Sequence, residues 1–256
     1  MSIKNEQAKS LWENARDSIR HSLEHFSEEC LSNTDRYHHK KWVILSVHHA
    51  AETFSYMLLK EFDENNSAFY KKGKHYYPGL SKTVKALLHP NIRYQLTQAE
   101  QKLLKLFQKL DTPRNKIIHG EIPQNLDISI MAMTIIGISR IAKKRCDESA
   151  DDIVQQYPSI QKDVVEAIRW NKIDEYTQFI EAFVKEDNPN QYIQECPNCG
   201  AYAIIYNYCE ACFEEVEEKI CPNCHEEIIL ISSYPFEQHC SVCGEKFEHH
   251  ERLTNA

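Results

Sequence analysis

Arg114-Asn115-Lys116-Ile117-Ile118-His119-Gly120 is the stretch on which the reading of this chain turns. It sets a permanent cation beside an amide and places an imidazole five positions after the cation. It closes on a glycine suited to a left-handed helix end. Arg-x-x-x-x-His alone carries little information. Chance gives about 0.5 matches in a chain of this composition, and the sequence has three, Arg16–His21, Arg20–His25 and Arg114–His119. Only the third adds the asparagine and the glycine.

Upstream, the apolar spacing predicts helices. Leu11, Ala15, Ile19, Leu23 and Phe26 form one stripe over residues 6–31. A second helix is expected over 36–62, with Trp42, Val43, Leu45, Val47, Ala50, Ala51, Phe54, Met57 and Leu58. That face is broad enough for the centre of a bundle. His48 and His49 lie on it about 100° apart, which suits packing better than joint ligation. Residues 63–79 read as a loop in which Lys71, Lys72, Lys74 and His75 adjoin Tyr76 and Tyr77. A short helix over 81–88 ends before Pro90. Thr97-Gln98-Ala99-Glu100 fits a capping box opening the next helix, whose stripe is Leu103, Leu104, Phe107 and Leu110. Pro113 either kinks that helix or restarts it.

Downstream, an apolar helix is expected over 127–144, then two more over 147–157 and 159–186. The segment 187–190 reads as a linker. Charge is uneven along this plan. The chain carries a formal net charge of -8, yet residues 36–119 hold 15 Lys/Arg against 6 Asp/Glu. Residues 188–256 hold 3 against 12. The basic centre suits a polyanion, or is simply a solvated lysine face. The start of the chain is polar, and the apolar run Ile128–Ile138 is too short to span a bilayer. A cytoplasmic protein without membrane contact is the expectation.

The heptapeptide, with the Val47-His48-His49-Ala50-Ala51-Glu52-Thr53-Phe54 run on the long helix before it, resembles the HEPN superfamily over residues 10–145. The family pattern is an arginine, four to six residues of which the first is usually polar, and a histidine. Pro113, immediately before the motif, departs from it. The resemblance implies a bundle of four to five helices that often dimerises, so that two motifs share a cleft. Many members are metal-independent endoribonucleases, and others bind RNA or are inactive; toxin–antitoxin and antiviral defence roles are common. On that basis Arg114, Asn115 and His119 are the candidate catalytic residues. The chemistry is coherent. RNA supplies its own nucleophile, the 2′-hydroxyl. An imidazole titrates near neutrality and can act as base or acid, and arginine offers a charged fork to phosphate oxygens. Positions five apart on a straight helix point about 140° apart. Arg114 and His119 therefore converge only if the helix bends or ends between them, or if the substrate spans both.

Eight of ten cysteines fall in four Cys-x-x-Cys pairs: Cys196/Cys199, Cys209/Cys212, Cys221/Cys224 and Cys240/Cys243. With no secretory leader in view, thiolate knuckles of this form point to tetrahedral zinc rather than disulfides. Sequential pairing gives two four-cysteine sites; an interleaved pairing is the alternative. The intervening segments 202–208 and 227–233 read as strands. The tail resembles a double zinc ribbon with two structural Zn2+. Cys30 and Cys146 stand alone, and His225, His239, His249 and His250 are not needed as ligands.

The expected architecture is mainly α: a helical bundle over 1–145, additional helices over 146–187, and a small β-rich double zinc ribbon over 188–256. The expected activity is RNA cleavage by a homodimer without a catalytic metal. A silent adaptor binding RNA or protein, with the ribbons as its contact surface, is the alternative. The acidic tail suits a protein partner, a brake on the basic cleft, a dimer prop or simple stabilisation.

Overall fold

The structure is a computed structural model and describes residues 6–26, 36–62, 70–71, 74–75, 78–121, 129–146, 174–231, 238–240 and 242–247. The expected helix over 147–157, the part 159–173 of the helix expected over 159–186, the lone Cys30 and the aromatic end of the 63–79 loop lie outside these residues. The protein is mainly helical, with small antiparallel sheets near its C-terminal end that carry the cysteine clusters. It divides into two compact units, Met1–Phe183 and Val184–Ala256.

The first unit is built around α2 (Arg36–Phe62), which packs along α1 (Glu6–Glu24). The buried stripe of α1 is Ala8, Trp12, Ala15, Ile19, Ser22 and Leu23. It centres on Trp12 rather than on Leu11, which is half-buried. The wider indole takes the core position: its ring meets Phe54 edge-on at 6.3 Å, and Phe54 meets Phe107 in the same way at 6.3 Å. Three helices are thereby joined through one aromatic ladder. The helix stops at Glu24, earlier than the apolar pattern suggests. The amides of His25 and Phe26 bond the carbonyls of Ser22 and Leu23, tightening the last turn.

A short hairpin, β1 (Tyr70–Lys71) with β2 (Lys74–His75), lies within the stretch read as a loop. Helix α3 (Leu80–Leu87) follows, then α4 (Pro90–Arg93). Proline was expected to end the preceding helix. It also opens a new turn, because its fixed φ suits the first helical position and the His89 ring accepts from the Asn91 amide. Helix α5 (Gln98–Phe107) begins with the expected capping box: the Thr97 hydroxyl accepts from the Glu100 amide and the Glu100 carboxylate from the Thr97 amide.

The chain then passes through a 3-10 turn, Gln108–Leu110, into α6 (Asp111–Ile118). Residues 107, 108, 110 and 111 all keep right-handed helical backbone angles. Pro113 therefore neither breaks nor freshly starts a helix. The tighter turn ahead of it absorbs the change, and proline sits within the first turn of α6, where its missing amide costs least. Helix α7 (Ser129–Cys146) is buried on nearly every side. A side chain at Gly137 would place its Cβ 2.4 Å from Cδ1 of Leu103, so glycine permits the close approach of α7 to α5. Helix α8 (Asp174–Asp187) buries Tyr176, Phe179 and Ile180. Lys144 and Arg140 of α7 sit over the Phe183 ring at 4.0 Å and 5.4 Å.

The second unit holds two small β modules. In one, β3 (Gln194–Glu195), β4 (Tyr202–Ile205) and β5 (Tyr208–Cys209) form an antiparallel sheet. The segment read as one strand is thus a hairpin. Ile205 pairs with Tyr208 across a two-residue turn, in which Tyr206 takes φ 55°. In the other, β6 (Val216–Ile220) pairs with β7 (Glu227–Ile231), and β8 (Gln238–His239) with β9 (Lys246–Phe247). Ile228 and Leu230 pack with Cys221 and Cys240, and Phe247 lies against them. Among the described residues, no helix is long and apolar enough to cross a membrane.

Candidate functional site

The Arg114–Gly120 stretch comprises the end of α6 and its cap. Its end is a Schellman motif. The amide of Glu121 bonds the Lys116 carbonyl at 2.8 Å, the amide of Gly120 bonds the Ile117 carbonyl at 3.0 Å, and Gly120 has φ 83°. His119 is the C-cap, with backbone angles already leaving the helix. Its ring and the Asn115 side chain are exposed, whereas Ile117 anchors the helix in the core.

The 3-10 turn in this region precedes the motif, and residues 111–118 form one α-helix. Arg114 and His119 therefore diverge around the helix, as a straight helix requires. Arg114 Nη1 donates to Asn115 Oδ1 at 3.0 Å. Neither Asp111 nor Glu121 takes up Arg114. The Asp111 carboxylate instead meets His48 Nε2 of α2 at 2.9 Å. His48 is buried and acts in packing, as its position suggests, and it also ties the motif helix to the central helix. The arginine is joined to the asparagine, and the imidazole follows a little over one helical turn further along the chain.

The cysteines gather in the sequential sets. Sγ atoms of Cys196, Cys199, Cys209 and Cys212 lie within 4.8 Å of one another, and so do those of Cys221, Cys224, Cys240 and Cys243. The close pairs are Cys196–Cys212 and Cys199–Cys209 at 3.7 Å, and Cys221–Cys243 and Cys224–Cys240 at 3.6 Å. A tetrahedral ion with metal–sulfur bonds of about 2.3 Å has an S···S edge of about 3.8 Å, so each set could hold one.

Each knuckle repeats one backbone device that the sequence half-conceals. The first cysteine's amide bonds the carbonyl five residues on, and its carbonyl accepts the amide four residues on. That fourth residue, directly after the second cysteine, lies in the left-handed region in all four: Gly200, Phe213, His225 and Gly244. Glycine at two of them could have signalled the pattern; Phe213 and His225 hid it. Hydrogen bonding among the thiols holds Cys196 far below the ordinary thiol range and pushes Cys199 and Cys212 above it. In the second set, a backbone hydrogen bond at Cys243 helps bring Cys240 down to about 6. Thiolate is thus favoured at part of each cluster, as cation binding requires. The first set is buried throughout, with the Asn198 amide 3.6 Å from the Cys212 sulfur. The second is more open, with Cys224 half-buried and Cys243 exposed.

Comparison with known protein families, with curated proteins and with solved structures gives no match to this chain. The class stated by fold and site is therefore a mainly helical protein carrying two tetracysteine clusters that could bind metal.

Proposed function

We propose that the protein is an RNA endonuclease of the HEPN type that cleaves by attack of the RNA 2′-hydroxyl, stabilised by two structural zinc ions. The observation that supports this reading is that Arg114, Asn115 and His119 lie on one short helix and its cap, with Asn115 and His119 exposed and Arg114 half-buried. His119 takes the 2′-hydroxyl proton as that oxygen attacks phosphorus, and the bond to the 5′-oxygen breaks as an acid returns a proton to it. Arg114, oriented by Asn115, faces the charge that builds on the phosphate. One copy supplies one motif imidazole. A homodimer with two His119 copies lining one cleft supplies both base and acid. The products carry 2′,3′-cyclic phosphate and 5′-hydroxyl ends. The defence or toxin role follows from the resemblance alone.

Zinc suits eight thiolates in two closed tetrahedral sets, since soft sulfur ligands favour it and no position stays open for substrate. Each such centre adds a formal charge of -2 to an already acidic unit. The ribbons therefore serve better as a fold support or protein contact than as an RNA clamp.

A second reading, a silent adaptor binding RNA or protein, is favoured by the separation of Arg114 from His119 around the helix. Cleavage of cellular RNA without added magnesium, by the wild type and by His119→Ala with equal zinc content, separates the two. Cyclic-phosphate ends made by the wild type alone support the nuclease. Silence from both, with both folded, supports the adaptor.

A further inference from the structure

Helix α5 presents Gln98, Gln101, Lys102 and Lys105 along one face, opposite the buried Leu103, Leu104 and Phe107. Together with Pro90, Arg93 and Tyr94 of the preceding turn, this face bounds a recess of about 520 Å³. That is room for a small ligand or one unit of a polymer. Three of its seven lining residues are cationic and none is acidic. Tyr94 is 78% exposed, a large ring held in water beside three positive charges.

The recess is braced. Arg93 Nε donates to Gln101 Oε1 at 2.7 Å, which leaves the outer nitrogens of the guanidinium to face a ligand. Gln101 is fixed in turn by its own amide, which donates to the carbonyls of Leu96 at 3.1 Å and Arg93 at 3.3 Å. Lys102 Nζ is held by Gln178 Oε1 at 2.6 Å. Glu175 is not among the residues that line the recess; Lys109 engages it at 2.6 Å, and the charge of Lys105 also acts on it.

We propose that this recess binds single-stranded RNA, with a base stacked on Tyr94 and neighbouring phosphates on Arg93 and Lys105. A lone cationic patch would suit any polyanion. The exposed ring among cations favours an unpaired base, since a stacking platform beside phosphate-binding charges is the usual device for single strands. An acidic peptide would use the charges and leave the tyrosine idle. The choice of RNA over DNA rests on the cleavage reading; affinity for a single strand does not.

The test measures fluorescence anisotropy of a labelled, unstructured 2′-O-methyl RNA, which cannot be cleaved, with the full zinc-loaded chain across a salt series. Tyr94→Ala is expected to weaken binding about fivefold or more. Lys105→Gln should lower the slope of log affinity against log salt by about 0.7. Tyr192→Ala, which removes an equally exposed ring from the ribbon unit, should change neither. All three positions are at the surface, so folding is retained. Absence of binding by the wild type overturns the proposal, as does indifference to Tyr94→Ala. Displacement by polyglutamate of equal charge with no dependence on Tyr94 would mark an acidic-peptide surface and also overturn it. Binding that survives in His119→Ala, with no cleavage by the wild type, would leave this recess standing and sink the nuclease.

Discussion

His48 Nε2 lies 2.9 Å from Asp111 Oδ1, joining the middle of the central helix to the first turn of the helix that carries Arg114 and His119. The two residues are 63 apart in sequence. Replacing Asp111 by Ala leaves a buried imidazole without this partner. We expect a loss of about 1–3 kcal/mol in urea unfolding. An unchanged midpoint would mean that the pair contributes nothing to the bundle.

Arg145 makes a second cross-link. It meets Glu100 through two nitrogens and Glu61 at 3.1 Å. The Glu100 side chain is only 3% exposed. Arg145→Met strands a buried carboxylate, and a loss of about 3–5 kcal/mol is expected. Arg145→Met combined with Glu100→Gln should recover much of it. Failure of that rescue would place the cost in the packing of the arginine stem over Phe62, 4.8 Å below the guanidinium.

Acid should weaken the α1–α2 pair. His25 Nδ1 is 2.9 Å from His39 Nδ1, and its ring adjoins His21, His38 and Trp42, with Glu24 nearby. Partial burial, then the charges of His21, His39 and His38, hold its pKa below the ordinary 6.5. The unfolded chain thus binds a proton more readily than the folded one. Stability is present in full above 6.5 and is lost as pH falls from there through the folded value. Unfolding midpoints at about pH 7.5 and about pH 5.5 should differ less in His25→Gln than in the wild type. Equal differences would remove His25 from the account.

The two cysteine sets should differ in lability. A thiol-reactive reagent is expected to label the exposed Cys243 before any cysteine of the buried first set. Two zinc equivalents should be released in two steps, and Cys199→Ser should retain one. Helical circular dichroism should survive release, because the large apolar core belongs to the first unit. Simultaneous release from both sets, or collapse of the helices with it, would contradict this division.

His225 holds φ 62° after its second cysteine, where the matching knuckles have Gly200 and Gly244. His225→Gly should therefore stabilise the second set by about 1 kcal/mol, read as slower metal transfer to a chelator. Slower loss from the first set instead would argue against a local backbone cause.

The sequence determined what local chemistry can fix. Apolar spacing gave the long helix from Arg36 to Phe62, Thr97 and Glu100 gave the capping box, and Gly120 gave the left-handed stop; each depends on neighbours a few residues away. The four Cys-x-x-Cys pairs also announced themselves, because a knuckle is a local turn. Tertiary structure decided the rest. It chose sequential gathering of the sulfurs, put Trp12 rather than Leu11 in the core, and gave Asp111 to His48 and not to Arg114. It also built the Arg93–Tyr94–Lys105 recess from segments that show no motif in sequence. These outcomes depend on which surfaces meet after the chain folds back on itself, and side chains distant in sequence compete for the same partner only then.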